Sequence, residues 1–184
     1  MLFWIFYKVN HFKWLVICGY LMLLAGCKGD VAQANLFPGK VTRVLSGQTV
    51  EVLLTDTSEV SKVRITGIDA PDLRQNPWGK AAQDKLIELV MGLPIELETD
   101  LPLQNESNRD RFNRIKAHVW QNKTLVSQQL VKTGCVLANT KYPHSYSKLL
   151  IDAQEYARLM GYGIWNRDRP MRQTPQQFRS QIKK

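Results

Sequence analysis

Val63-Arg64-Ile65-Thr66-Gly67-Ile68-Asp69-Ala70-Pro71-Asp72 decides how this chain is read. Val63, Ile65 and Ile68 are apolar and β-favouring, and Arg64 falls on the opposite face from its neighbours, so the stretch begins as a strand. Gly67 relaxes the backbone, and Ala70-Pro71 stops the strand. A cation therefore rides on the strand, and two carboxylates follow just past its end, three residues apart. That set suits a divalent metal and a phosphate held side by side. A buried strand followed by a polar turn, with Arg64 paired to Asp69 or Asp72, is the commoner use of such a stretch taken alone.

Working outward, Val41 to Leu45 and Thr49 to Leu54 read as strands joined by a Ser46-Gly47 turn, and Glu59 to Ile68 as the third strand of a meander. Gly79 to Met91 has helical spacing in Ala82, Leu86, Leu89 and Val90, with Gly92 as its stop. Pro94 to Thr99 alternates as a fourth strand, Asp100 to Arg111 is a long polar loop, and Ile115 to Trp120 is a fifth strand. Thr124 to Lys132 and Tyr146 to Met160 read as two further helices, the last with Leu149, Ala153, Tyr156, Ala157 and Met160 on one face. Trp165 is expected to pack inside. Thr174 can cap a short final helix with Pro175 in its first position. Five strands with a helix between the third and fourth imply an α+β, mainly β, fold: a five-stranded barrel of the oligonucleotide/oligosaccharide-binding type with three helices.

The 184 residues carry a formal net charge of +9 and allow one domain plus appendages. Residues 1–26 contain Lys8 and Lys13 and no acid. From Asn166 onward, six basic residues face only Asp168, so the stretch between these ends is nearly balanced. The apolar run Trp14 to Leu24 is short for a membrane span and is followed by small residues, as in an export signal. Leu24-Ala25-Gly26-Cys27 is similar to the lipobox of bacterial lipoproteins, which implies cleavage before Cys27 and lipid modification of that cysteine. An uncleaved N-terminal anchor is the alternative; both put the domain outside the cytoplasm, tethered to a membrane. The expected layout is a signal over 1–26, a linker over 27–38, the domain over 39–165 and a basic tail over 166–184. With Cys18 in the signal, Cys27 and Cys135 make no disulfide framework. Cys135 reads as a small core residue, and three scattered histidines make no zinc site.

Four pieces then line up: Val44-Leu45-Ser46-Gly47-Gln48-Thr49-Val50, Val63 to Asp72, Asp110-Arg111-Phe112-Asn113-Arg114, and Gly163-Ile164-Trp165. Their order and spacing resemble the staphylococcal (thermonuclease) nuclease family over about residues 39–165. The resemblance implies the same five-stranded barrel and cleavage of DNA and RNA with calcium by a monomer. It implies that Asp69 is a metal ligand together with the Ala70 carbonyl, and that Arg64 and Arg114 bind phosphate. Asp72 stands at the general-base glutamate, and Gln48 at a second metal-ligating aspartate. Tyr142 and Tyr146 lie near the family's stacking tyrosines.

The chemistry asks for these residue types. A phosphodiester is anionic and resists attack. Guanidiniums fork onto its oxygens and stabilise charge that builds in the transition state, and a carboxylate within reach can take the proton of the attacking water. Two departures matter. Gln48 is neutral, and Asp72 is one methylene shorter than glutamate. Asn113 replaces a usual glycine at a position where asparagine tolerates a left-handed backbone. Two readings follow: a working nuclease with altered metal needs, or a non-catalytic module that binds nucleic acid or another polyanion at the cell envelope.

Overall fold

The computed structural model describes residues 35–99, 103 and 105–182. The signal, the linker up to residue 34 and Cys27 lie outside these. No helix among the described residues is long and apolar enough to cross a membrane. These described residues form eight strands: β1 (Asn35–Ser46), β2 (Thr49–Leu54), β3 (Val60–Ile65), β4 (Ile68–Asp69), β5 (Pro94–Thr99), β6 (Ile115–Gln121), β7 (Thr124–Leu125) and β8 (Leu137–Ala138). Among the described residues four helices accompany them: α1 (Trp78–Val90), α2 (Val126–Lys132), α3 (Ser147–Met160) and α4 (Pro175–Ile182).

The main sheet runs β3-β2-β1-β5-β6-β7, and a further parallel pairing of β3 with β6 closes β1, β2, β3, β5 and β6 into the expected barrel. β1 reaches both β2 and β5 because it is long, with register shifts near Arg43 and Ser46 that bend it. It starts at Asn35, earlier than the expected Val41. Pro38 is tolerated because it lies beyond the last β1–β2 pair, Gly39↔Leu54, where no ladder bond needs its missing N–H.

The expected third strand divides in two. Gly67 takes φ +81°, which a residue with a Cβ rarely adopts, and the Thr66-Gly67 turn separates β3 from β4. β4 then pairs with β8, Asp69 opposite Leu137. Thr124 and Leu125, expected in the second helix, instead form β7 against Trp120 and Gln121.

Alternate residues of the barrel strands point inward: Val50, Val52, Val63, Ile65, Leu97, Ile115 and Val119 are all but inaccessible to solvent. Ala82, Leu86 and Val90 of α1 recur every fourth residue and bury one helix face against this core. The α3 face differs from expectation. Leu150, Ala153 and Ala157 are buried, whereas Leu149, Tyr156 and Met160 are exposed. One residue turns a helix by about 100°, so a stripe anchored on Leu149 and one anchored on Leu150 share the alanines and differ in the large side chains. After α3, Ile164 takes the buried position expected of Trp165, whose ring is only half-buried and lies under the Arg158 guanidinium.

The C-terminal residues are docked. The Met171 N–H donates to the Ile164 carbonyl, and Gln75 Nε2 donates to the Gln173 carbonyl at 2.6 Å. Thr174 and Gln177 satisfy each other's backbone N–H groups in a reciprocal cap, with Pro175 in the first helical position.

Candidate active site

Strand pairing alone gathers the polar residues. Thr49 of β2 sits opposite Arg64 of β3, and Val63 of β3 sits opposite Ile115, the residue after Arg114. The barrel closure therefore brings Gln48-Thr49, Arg64 and Arg114 to one end of three strands. The β3–β4 turn adds Asp69 and Ala70.

Each guanidinium is held. Arg64 Nη2 donates to the Ile68 carbonyl at 2.6 Å, and its Nη1 donates to the Ile65 carbonyl, so it ties the two sides of the Thr66-Gly67 turn together. Burial pulls its pKa down to about 10. Asp69 opposes that fall, Arg114 and Arg179 add to it, and Asp110 again opposes it. Arg64 stays protonated at neutral pH, and the same interactions place three guanidiniums and two carboxylates in one neighbourhood. Arg114 bonds the Asp110 carboxylate through Nε at 2.8 Å and Nη2 at 2.6 Å, and its Nη1 donates to Thr49 Oγ1 at 3.1 Å. Its guanidinium also lies 5.2 Å from the centre of the exposed Phe112 ring.

The loop that presents Arg114 is built locally. Asp110 Oδ1 accepts from the backbone N–H groups of Phe112 and Arg114, and Asn113 takes φ +57°, the left-handed backbone expected of it. Burial alone would push the Asp110 carboxyl up. The Arg114 side chain and the two backbone donors outweigh it and hold Asp110 below the usual carboxylate range.

Asp69 and Ala70 have a partner that sequence reasoning missed. Arg179 of α4 places Nη2 at 2.6 Å from Asp69 Oδ1 and Nη1 at 3.2 Å from the Ala70 carbonyl. Gln48 Oε1 accepts the Ala70 N–H at 2.7 Å. The three donors expected around a divalent cation are thus all engaged: one carboxylate and one carbonyl on a guanidinium, one amide oxygen on the backbone. Among the described residues no group of three His, Cys, Asp or Glu could hold a metal ion. As arranged, these residues do not fit a divalent cation. No sequence periodicity links residue 179 to residue 69. The nearest signals are a neutral residue at 48 and an arginine inside a well-capped C-terminal helix.

Asp72 accepts from Arg74 through Nε at 2.9 Å and Nη2 at 3.2 Å. The Arg74 side-chain bond outweighs burial, with the Arg74 backbone N–H adding to it, and Asp72 is held below the usual range; the Arg179 charge acts in the same direction. Its turn is fixed from behind by α1. Gly79 lies so close that a Cβ there would sit 2.0 Å from the Asp72 carbonyl oxygen.

A cleft of about 470 Å³ opens beside Arg64 and Asp110, walled by Glu98, His118, Tyr142 and His144. Tyr142 is exposed. Tyr146 is committed to packing: its hydroxyl donates to Glu98 at 2.8–2.9 Å and its ring packs edge-on to His118 and Trp120. Burial and the Glu98 charge push its phenol up to about 12. Cys135 is half-buried, and burial raises its thiol, in keeping with a packing role.

A family model described as staphylococcal nuclease homologue matches residues 62–167. An uncharacterized endonuclease of Haemophilus influenzae is 30% identical over 144 residues, covering 78% of this chain and 74% of that protein. A thermonuclease of Staphylococcus hyicus is 28% identical over 142 residues, covering 74% of this chain and 80% of that one. A probable staphylococcal-like nuclease of rice is 27% identical over 145 residues, 79% of this chain and 40% of that protein.

Proposed function

Since the chain belongs to the staphylococcal nuclease family, we propose that it is a nuclease that hydrolyses phosphodiester bonds of DNA or RNA at the Arg64–Arg114 end of its barrel. The observation that carries this reading is the gathering of Arg64, Arg114 and Asp69 from two strand ends and a turn into one electrostatic neighbourhood. An excess of fixed cations there matches an anionic substrate.

In the proposed reaction the phosphate oxygens lie against the Arg64 and Arg114 guanidiniums, which are already oriented by their carbonyl and carboxylate partners. Preorganised donors cost little reorganisation when charge builds on phosphorus. Water oxygen forms a bond to phosphorus, and the P–O ester bond to the departing sugar breaks. The water's proton passes to Asp72, and the leaving alkoxide takes a proton from solvent. A carboxylate held low by Arg74 is a weak base, so turnover is slow. The exposed Tyr142 ring, in the cleft next to Arg64, offers a face on which a base can stack.

Incubation of the purified domain with end-labelled single-stranded DNA and RNA tests the reading, once with chelator and once with calcium. Shortened products are expected. Retained binding with no product under any metal condition would instead establish the polyanion-binding module, the reading that the engaged Gln48 and Asp72 favour.

We further propose that the domain works outside the cytoplasm, tethered through a lipid on Cys27; Leu24-Ala25-Gly26-Cys27 supports this. Cys27→Ser should abolish incorporation of labelled fatty acid and leave the chain at its uncleaved length. Labelling and length unchanged in the variant would discard the lipid anchor.

A further inference from the structure

We propose that Arg179 is a resident cation: from the C-terminal helix it fills the place between Asp69 and Ala70 where the sequence led us to expect a divalent metal, and it joins Arg64 and Arg114 in a three-guanidinium seat that binds the phosphodiester without calcium. This rests on the nuclease reading above for its substrate.

The contacts are those a cation would make. Arg179 touches both expected oxygen donors, the Asp69 carboxylate and the Ala70 carbonyl, with two nitrogens of one guanidinium. A guanidinium has five N–H donors, so the two bonds leave three for a phosphate. The side chain is 34% exposed, which leaves it reachable from solvent. Its planar fork of donors matches a tetrahedral oxyanion, as a lysine ammonium would not.

Two further features hold Arg179 there. α4 is anchored by the Thr174–Gln177 cap, by the bond from Gln75 to the Gln173 carbonyl, and by buried Pro175. Gln48 completes the arrangement, since its amide oxygen is satisfied by the Ala70 N–H and adds no negative charge.

Charge balance decides between the two cations. Arg64, Arg114 and Arg179 face Asp69 and Asp110, an excess of one positive charge, while Asp72 and Arg74 neutralise each other. One phosphodiester brings that cluster to neutrality. A divalent ion added beside three guanidiniums would raise the excess to three with no unshared carboxylate to hold it, since Asp69, Asp110 and Asp72 are each paired to an arginine, and like charges at this range repel strongly in a partly buried site.

The experiment uses the full chain and four forms: wild type, Arg179→Ala, Arg179→Lys, and Gln48→Asp combined with Arg179→Ala. Each is assayed for oligonucleotide cleavage with chelator and with millimolar calcium, and each is melted with and without calcium. Wild type should cleave equally in both conditions and show no calcium-dependent rise in melting temperature. Arg179→Ala should lose about 10²-fold in chelator, the effect of removing one oriented donor. Arg179→Lys keeps a charge and should lose less, which separates charge from any loosening of α4. The double variant offers two acids around an emptied place, and its melting temperature should rise with calcium.

Wild-type cleavage that stops in chelator and returns with calcium would overturn the inference and leave the nuclease reading intact. A calcium-induced rise in melting temperature as large in wild type as in the double variant would overturn it as well. If no form cleaves under any condition, the nuclease reading falls. A melting rise confined to the double variant would then still uphold Arg179 as the occupant.

Discussion

Arg114→Ala is expected to lower phosphodiester cleavage by about 10²–10³-fold, the loss that follows removal of one preorganised donor to a developing oxyanion. The guanidinium is fixed by Asp110 and Thr49 before substrate arrives, so its removal takes away an interaction that needs no reorganisation. The fold should survive. Asp110 keeps the backbone N–H groups of Phe112 and Arg114, and loss of the mostly buried, charge-assisted bonds costs about 1.5–3 kcal/mol. For a chain of this size that corresponds to a fall of roughly 3–12 °C in melting temperature. Arg114→Lys should recover only part of the rate, because an ammonium cannot hold the planar fork. Single-turnover rates and thermal melts on the same preparations check both halves, and turnover unchanged in the alanine variant would remove Arg114 from the site.

Gly79→Ala is the second large effect, and it acts from behind the site. A Cβ at Gly79 would lie 2.0 Å from the Asp72 carbonyl oxygen and 2.7 Å from Leu73 Cα. Both are backbone atoms and cannot rotate away, so either α1 or the Asp72 turn must shift. Alanine normally favours a helix, yet overpacking of this kind costs about 1–3 kcal/mol. The turn also carries the proposed base. A displacement near 1 Å costs on the order of a hundredfold in rate. The expected result is a variant that folds with a lower melting temperature and cleaves about a hundredfold more slowly. A crystal structure should show the Asp72 turn moved away from α1. Wild-type rate and stability together would contradict the packing argument.

The barrel was legible because its strands alternate and its turns carry glycine and proline at the places where the chain reverses. Val63 to Asp72 announced both the buried strand and the polar residues at its end, and Asp110 to Arg114 announced a tight loop. The closure of the barrel was not legible from local pattern: β3 and β6 pair in parallel across some fifty residues, and nothing local encodes that register. The barrel entered as an inference from the order of five strands and one helix, without that register. The site was legible as a set of residue types and less so as a set of bonds. Strand pairing brings Arg64 and Arg114 to one end of the barrel. Asp69 and the Ala70 carbonyl pair instead with Arg179, 110 positions from Asp69 in sequence, and Gln48 accepts from the Ala70 N–H. Basic residues near a chain end usually read as a solvated tail. Only the docking of α4 turns one of them inward.

The central claim is that Arg64 and Arg114 grip one and the same phosphate. A double-mutant cycle on cleavage of a single oligonucleotide, using wild type, Arg64→Ala, Arg114→Ala and the double variant, measures it directly. Two groups acting on one phosphate should couple by about 1–3 kcal/mol, so that the double variant loses far less than the product of the single losses. Losses that simply multiply would mean that the two guanidiniums act at separate places, and the proposed site would not stand.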